Sequence, residues 1–172
     1  ADVFASASAK DMATLTSAGA ATAPTTFATN SLTVVVPSAN PAQIAGLADL
    51  ARAGVKVAQC QAAVPCGVLA AKVLATAGLT VTPATLEPDV KSVLTKVRLG
   101  EVDAGLVYAT DAVAAAGSVT AVPIPAGVNA TTAYPIAALS HAANPAGARA
   151  FVDAVVSAEG LAVLKAAGFG AP

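Results

Sequence analysis

The chain has 172 residues, a formal net charge of −1 and a sequence pI of about 5.7. Because nucleic-acid-binding surfaces are strongly basic, this charge balance argues against a nucleic-acid partner. The hydrophobic content is 56 %, and Lys72 interrupts the best candidate for a long apolar run. A membrane span needs about 18 uninterrupted apolar residues, so none is predicted, and the length suits one domain or two small lobes.

The chain opens on the apolar run ADVFASAS, and no signal-peptide pattern precedes it. We therefore expect that preceding sequence is missing. Predicted strands cover residues 1–6, 32–36, 55–59, 80–84, 104–109, 119–124 and 131–139. Predicted helices cover residues 8–18, 44–53, 66–77, 89–99, 111–116, 145–156 and 158–167. Strands that alternate with helices of this length predict an α/β fold with a mostly parallel sheet.

Two extended segments, near 31–36 and 131–137, flank a compact block of alternating strands and helices. This layout is typical of a hinged binding protein in which one lobe is inserted between the two parts of the other. We predict that residues 34–133 form the inserted lobe 2. Residues 1–33 and 134–172 would then form the remaining part of lobe 1, with the two extended segments as hinge strands.

The stretch EPDVKSVLTKVRLGEVDAGLVYAT, residues 87–110, predicts an anion site. Asp89 is a good N-cap, apolar residues recur at helical spacing after it, and Gly100 is a typical helix end. The first turn of a helix has free N–H groups and a partial positive charge, which suit an anion. Tyr108 ends the following buried strand, at the edge where open α/β sheets bind ligands.

Cys60 and Cys66 are compatible with a disulfide in an exported protein or with two buried thiols in a cytosolic one. The only histidine, His141, has no cysteine or second histidine close in sequence, which argues against a metal site. No His–Asp arrangement accompanies Cys66 as a nucleophile, and the acidic residues are scattered. We therefore predict no catalytic residues and no enzyme activity.

Six segments occur in the order seen in the molybdate-binding proteins of bacterial ABC transporters, and the GEVDAGLVYATD stretch of the fourth is the most specific. They are ADVFASA, FATNSLTVVVP, VPCG, EPDVKSVLTKVRLGEVDAGLVYATDA, NATTAYPIA and AFVDAVVSAEGLAVLKAAGFG. The resemblance implies a type II periplasmic-binding-protein fold with two α/β lobes and a hinge. It also implies capture of molybdate or tungstate in a cleft between the lobes, delivery to a membrane permease, an extracytoplasmic location and no cofactor.

The resemblance also implies which groups hold the oxyanion. They are the backbone amides of Cys66 and Val90 and the hydroxyl of Tyr108, with no charged side chain and no directly ligated metal. The cysteine pair is similar to that of the actinobacterial branch of the family, and an exported protein favours a Cys60–Cys66 disulfide.

The family begins with a strand–helix–strand–helix portion whose two serine-containing loops supply further donors, and this chain matches the family only after that portion. We therefore expect an incomplete first lobe, a reduced set of donors and possible formation of a homodimer or swapped assembly. Two alternatives remain for the function. One is the ligand-sensing domain of a transcription regulator with the same fold, and the other is a truncated fragment that no longer binds and self-associates.

Overall fold

The computed structural model describes all 172 residues, which divide into two compact units. One unit consists of Ala1–Asn30 and Thr132–Pro172, and the other of Ser31–Thr131. Two strands, β2 (Thr25–Pro37) and β7 (Thr131–Ala138), include the unit boundaries. The identification of the units with hinged lobes stays a prediction.

The unit formed by Ser31–Thr131 is built on a five-stranded mixed sheet. Besides β2, its strands are β3 (Val57–Cys60), β4 (Thr85–Glu87), β5 (Ala104–Tyr108) and β6 (Val119–Val122). The order across the sheet is β6-β2-β5-β3-β4. β3 runs parallel to β4 and β5, whereas β2 is antiparallel to both β5 and β6. Four strands thus share one direction and only β2 opposes them, which the hydrophobic pattern alone does not reveal.

Helices cover both faces of this sheet because successive strand residues point to opposite sides. On one face, α2 (Pro65–Thr76) buries Leu69, Val73 and Leu74 against a core that includes Leu106 of β5. On the other face, α3 (Val90–Arg98) buries Val93 and Val97. Gly105 of β5 allows this close approach, since a Cβ there would lie 2.6 Å from Val93 Cγ1. A short helix, α4 (Ala109–Ala114), follows β5 directly.

The predicted strand at 80–84 is wrong, because the strand in this region is β4, at Thr85–Glu87. Pro83 lacks an N–H, and the first hydrogen bond of this pairing is donated by Ala84 N to Val57 O at 2.8 Å. Strand pairing therefore begins only after the proline.

The predicted helix at 44–53 is also wrong, because only a 3₁₀ turn forms, at Leu47–Ala51. The Asn40 side chain binds both the N–H and the C=O of Ile44, each at 3.0 Å. These two bonds hold the backbone of Ile44 in a loop, because a local side-chain partner competes with helical hydrogen bonding.

The second unit contains a short antiparallel pairing of β1 (Val3–Ala5) with β7, and three helices. The helices are α1 (Ala9–Ser17), α5 (Pro145–Val156) and α6 (Ala158–Ala166). Each has a side-chain cap, supplied by Ser8, Asn144 and Ser157 respectively. A small core surrounds Met12.

None of the helices in the chain combines the length and apolar character of a membrane-spanning segment.

Candidate functional site

Three helices begin at one edge of the five-stranded sheet. The parallel strands β3, β4 and β5 end at the same edge, and α2, α3 and α4 start within five residues of those ends. Gln61 N donates to Glu87 O at 2.8 Å and so joins the segment after β3 to the end of β4. In open α/β sheets, ligands bind at the carboxyl ends of the strands, so this edge is the candidate site.

All three predicted donor residues lie at this edge. Cys66 is the second residue of α2, Val90 is the first residue of α3, and Tyr108 is the last residue of β5. The Cys66 side chain is buried, whereas Val90 and Tyr108 are half-buried. Their role as oxyanion donors stays a prediction, which the structure makes possible by bringing them to one edge of one sheet.

The first turn of α2 leaves one amide without an acceptor. Pro65, the first helical residue, has no N–H, and the amides of Gly67 and Val68 both donate to Val64 O, at 2.9 and 3.0 Å. No side chain caps the helix. The Cys66 N–H is therefore the one free donor of this turn, as expected where a helix start binds an external acceptor.

The first turn of α3 leaves its leading amide free in a different way. As predicted, Asp89 is the N-cap, and its Oδ1 accepts from Ser92 N at 2.8 Å. This hydrogen bond is the largest cause of the lowered pKa of the Asp89 carboxyl. The cap binds the third residue of the helix, so the N–H of Val90 at the first position has no acceptor within the chain.

Two carboxylates at this edge, those of Asp89 and Asp111, accept hydrogen bonds from backbone amides. Asp111 Oδ2 accepts from Tyr108 N at 3.2 Å, while burial raises the pKa of this carboxyl. Lys91 acts electrostatically on both Asp89 and Asp111 and favours their charged forms. The positive charge of Lys91 thus partly offsets the negative charge of the two acids near the proposed anion.

Cys60 and Cys66 form a disulfide, as expected for the exported form, with the two Cα atoms 5.8 Å apart. Cys60 is the last residue of β3, so the bond joins the end of that strand to the start of α2. Both residues are buried. Gly67 packs against this junction, because a Cβ there would lie 1.9 Å from Gln61 O.

Gln59 is a buried polar residue that the sequence reasoning did not single out. It pairs with Leu86 across β3 and β4, is 8 % exposed, and its Nε2 has no hydrogen-bond partner. A glutamine inside an otherwise apolar strand was the available signal. His141 is exposed, and no group of three or more potential metal-binding side chains occurs anywhere in the chain.

The chain is 42 % identical over 173 residues to the protein named molybdate-binding protein ModA in Mycobacterium bovis and in Mycobacterium tuberculosis. The match covers 100 % of this chain and 66 % of those relatives, so the chain spans just under two thirds of their length. This likeness extends across both units and is therefore not confined to the site edge.

Two solved structures share the α/β fold. The substrate-binding domain of a putative molybdenum ABC transporter from Clostridium difficile is 25 % identical, with a TM-score of 0.85, and the match covers 99 % of this chain and 77 % of that one. The periplasmic molybdate-binding protein of Azotobacter vinelandii is 24 % identical, with a TM-score of 0.78, and the match covers 99 % and 78 %. These neighbours confirm the predicted periplasmic-binding-protein fold.

The family model described as bacterial extracellular solute-binding protein matches residues 1–170. Its members bind solutes and are not enzymes, and nothing in the comparisons supports the alternative of a transcription regulator. The chain belongs to the family of bacterial extracellular solute-binding proteins.

Proposed function

We propose that this chain is part of the substrate-binding component of a molybdate or tungstate importer of the ABC type. Its location is extracytoplasmic, either periplasmic or on the cell surface as a lipoprotein, and its protein partner is the membrane permease. The observation on which the proposal depends is the 42 % identity, over the whole chain, to proteins named as molybdate-binding. The description of the matching family as extracellular agrees with the location.

The local chemistry of the sheet edge supports an oxyanion as the ligand. The Cys66 and Val90 amides belong to two different helices, and each lacks an acceptor within the chain. Fixed N–H dipoles at helix starts stabilise a tetrahedral dianion without a cationic side chain. In the proposed site the hydroxyl of Tyr108 is a third donor, and every donor is neutral.

Neutral donors also account for selection by size. Molybdate, tungstate and sulfate are all tetrahedral dianions, so the charge of the ligand does not distinguish them. Donors held by helices and by a disulfide cannot move inwards to reach a smaller ion. We therefore expect the spacing of the donors to favour the larger molybdate and tungstate ions over sulfate.

The sharpest test of the site is Val90→Pro. Proline is tolerated at the first position of a helix, and Pro65 and Pro145 already occupy that position in α2 and α5. Asp89, the preceding residue, has φ −155° and ψ 167°, the extended conformation that a following proline requires. The substitution thus removes one N–H donor and leaves the backbone of α3 in place.

We expect calorimetric titration of the wild-type chain to show binding of molybdate or tungstate, and Val90→Pro to weaken it about tenfold or more, the value of one hydrogen bond to a charged group. Val90→Ala is the matched control, because it keeps the N–H while shortening the side chain. Equal affinities for the proline and alanine variants would remove Val90 from the site. Absence of oxyanion binding by the wild-type chain would contradict the proposed function of this chain.

Self-association of the chain as a homodimer or swapped assembly remains a prediction. Light scattering coupled to size-exclusion chromatography measures it directly. A mass that stays at the 16.4 kDa of one chain over a wide concentration range would contradict it.

A further inference from the structure

We propose that the Cys60–Cys66 disulfide positions the anion-binding amide of Cys66, so that opening the bond weakens anion binding even though no donor is lost. This inference rests on the proposed function, because it assumes that the Cys66 N–H contacts the oxyanion. It assigns to Cys60, which supplies no donor itself, the role of a positioning residue.

The start of α2 is anchored differently from every other helix of nine or more residues in the chain. The other four are capped by side chains, those of Ser8, Asp89, Asn144 and Ser157. The N-cap of α2 is Val64, which is among the poorest capping residues and forms no side-chain hydrogen bond. The first turn of α2 therefore requires another means of stabilisation.

A side-chain cap would conflict with anion binding at this position. A capping side chain accepts from the second or third helical amide, which in α2 is that of Cys66 or Gly67. The Gly67 amide is already bound to Val64 O at 2.9 Å. A capping oxygen at residue 64 would therefore compete with the anion for the Cys66 N–H.

The disulfide supplies the missing anchor without using an amide. It attaches the donor residue itself to the last residue of β3, whose backbone pairs with Glu87 of β4. The two cysteines are only 3 % and 5 % exposed, so the bond lies inside the unit. By contrast, all three residues that directly follow Cys60, Gln61–Ala63, are exposed.

Opening the bond leaves this junction with few restraints. Besides the bonds from the Gly67 and Val68 amides to Val64 O, the remaining ones are the Gln61 N–Glu87 O and Val64 N–Gln61 O hydrogen bonds, at 2.8 and 3.2 Å, and the packing of Gly67 on Gln61 O. Helix ends that lack caps open locally at low free-energy cost. The Cys66 amide would then have to be ordered when the anion binds, and this ordering lowers the affinity.

The test compares wild-type protein with Cys60→Ala/Cys66→Ala, which keeps the backbone amide of residue 66. The control is Val36→Ala, which truncates a fully buried residue of β2. Val36 pairs with Thr120 and lies four residues along the strand from Leu32, which pairs with Tyr108. Both variants are expected to be less stable than wild type. Thermal unfolding establishes how closely their losses of stability match.

We expect the molybdate dissociation constant to rise about tenfold in the double variant and to stay within twofold of wild type in Val36→Ala. Hydrogen exchange of the Cys66–Leu69 amides should be faster in the double variant only. Wild-type affinity in the double variant would overturn the proposal, and wild-type exchange would overturn it as well, because the Cys66 amide would then not depend on the bond for its order. If wild-type protein binds no oxyanion, the proposed function fails, and unchanged exchange would still refute the anchoring role separately.

A second route avoids the risk that the double variant does not fold. A dithiol reagent converts the bond to two thiols and is itself oxidised to a disulfide, and thiol titration after denaturation counts the product. The reduced wild-type chain should show the same loss of affinity and the same faster exchange. Reduced protein that binds like the oxidised form would contradict the proposal.

Discussion

The starts of α2 and α3 each present a free amide at the same sheet edge, yet they are stabilised in different ways. In α3 a conventional cap, Asp89, binds the third amide and leaves that of Val90 free. In α2 the first residue is a proline, and the next amides after that of Cys66 donate to Val64 O, so the amide of Cys66 is free. Here a disulfide at Cys66 takes the place of a capping side chain. The comparison shows that a helix start can be fixed either by a side-chain acceptor or by a covalent bond. In the proposed site, the two means of stabilisation each leave available the amide that would bind the anion.

The largest expected effect comes from Gly67→Ala, which breaks the α2 side of this comparison. The added Cβ would lie 1.9 Å from Gln61 O, a backbone atom that cannot move without shifting the end of β3. We expect a loss of about 3 kcal/mol in the free energy of unfolding, at the upper end for overpacking, together with loss of anion binding. Urea unfolding and calorimetry measure the two effects.

Gly127→Ala is the matched control, because no atom lies within 4 Å of the Cβ it would add. It should unfold and bind like wild type. If Gly67→Ala also behaved like wild type, the tight junction between α2 and the end of β3 would be disproved.

Tyr108→Phe tests the third donor, which belongs to neither of the two compared helix starts. The phenyl ring keeps the packing of Tyr108 against both core clusters of its unit, and only the hydroxyl is lost. We expect the anion affinity to fall about tenfold, and thermal unfolding measures separately what the hydroxyl contributes to stability. An unchanged affinity in calorimetry would exclude the Tyr108 hydroxyl from the site.

Asp89→Ala removes the conventional cap of α3 and so breaks the other side of the comparison. Loss of an N-cap lowers helix stability, and we expect the unfolding midpoint to fall by about 3–5 °C. Asp89→Ser should restore most of this loss, since serine is a comparable cap. A midpoint for Asp89→Ala equal to that of wild type would show that the cap contributes nothing to stability.

The smallest expected effect concerns acid unfolding on the α3 side. The pKa of Glu87 is lowered despite the burial of its side chain. The largest cause is the hydrogen bond that its carboxylate accepts from the Thr85 hydroxyl, and a further cause is its contact with Lys96 Nζ at 3.2 Å. A carboxyl whose pKa is lower in the folded protein stabilises the fold at pH values above its pKa in the unfolded chain, near 4.3. This stabilisation is lost as the pH falls through the pKa of the folded protein.

Glu87→Gln should therefore reduce the part of the pH dependence of stability that lies below about pH 4.3, while lowering stability modestly at neutral pH. Urea unfolding at a series of pH values from neutral to acidic measures this. Parallel stability curves for wild type and Glu87→Gln across the whole range would contradict the assignment.

Sequence reasoning identified most of the local structure at the site because each feature has a short-range cause. The N-cap Asp89 precedes an amphipathic helix, and Gly100 follows it with a φ of +70°, as a helix end of this kind requires. Proline and asparagine likewise marked the start of α5. The predicted strand at 80–84 was wrong because Pro83 has no N–H to donate. The predicted helix at 44–53 was wrong because the side chain of Asn40 binds the backbone of Ile44 in place of helical hydrogen bonds.

The sequence by itself determined the α/β class, the helix starts and the residues at strand ends, since these depend on spacing, capping and apolar periodicity over a few residues. Only the tertiary structure decided that β2 runs against the other four strands of its sheet, that the Gln59 amide nitrogen is buried without a partner, and that Val64 caps α2 without a side-chain bond. Those features depend on contacts between residues far apart in the chain. Local pattern does not specify which strands become neighbours or which atoms their packing excludes from water.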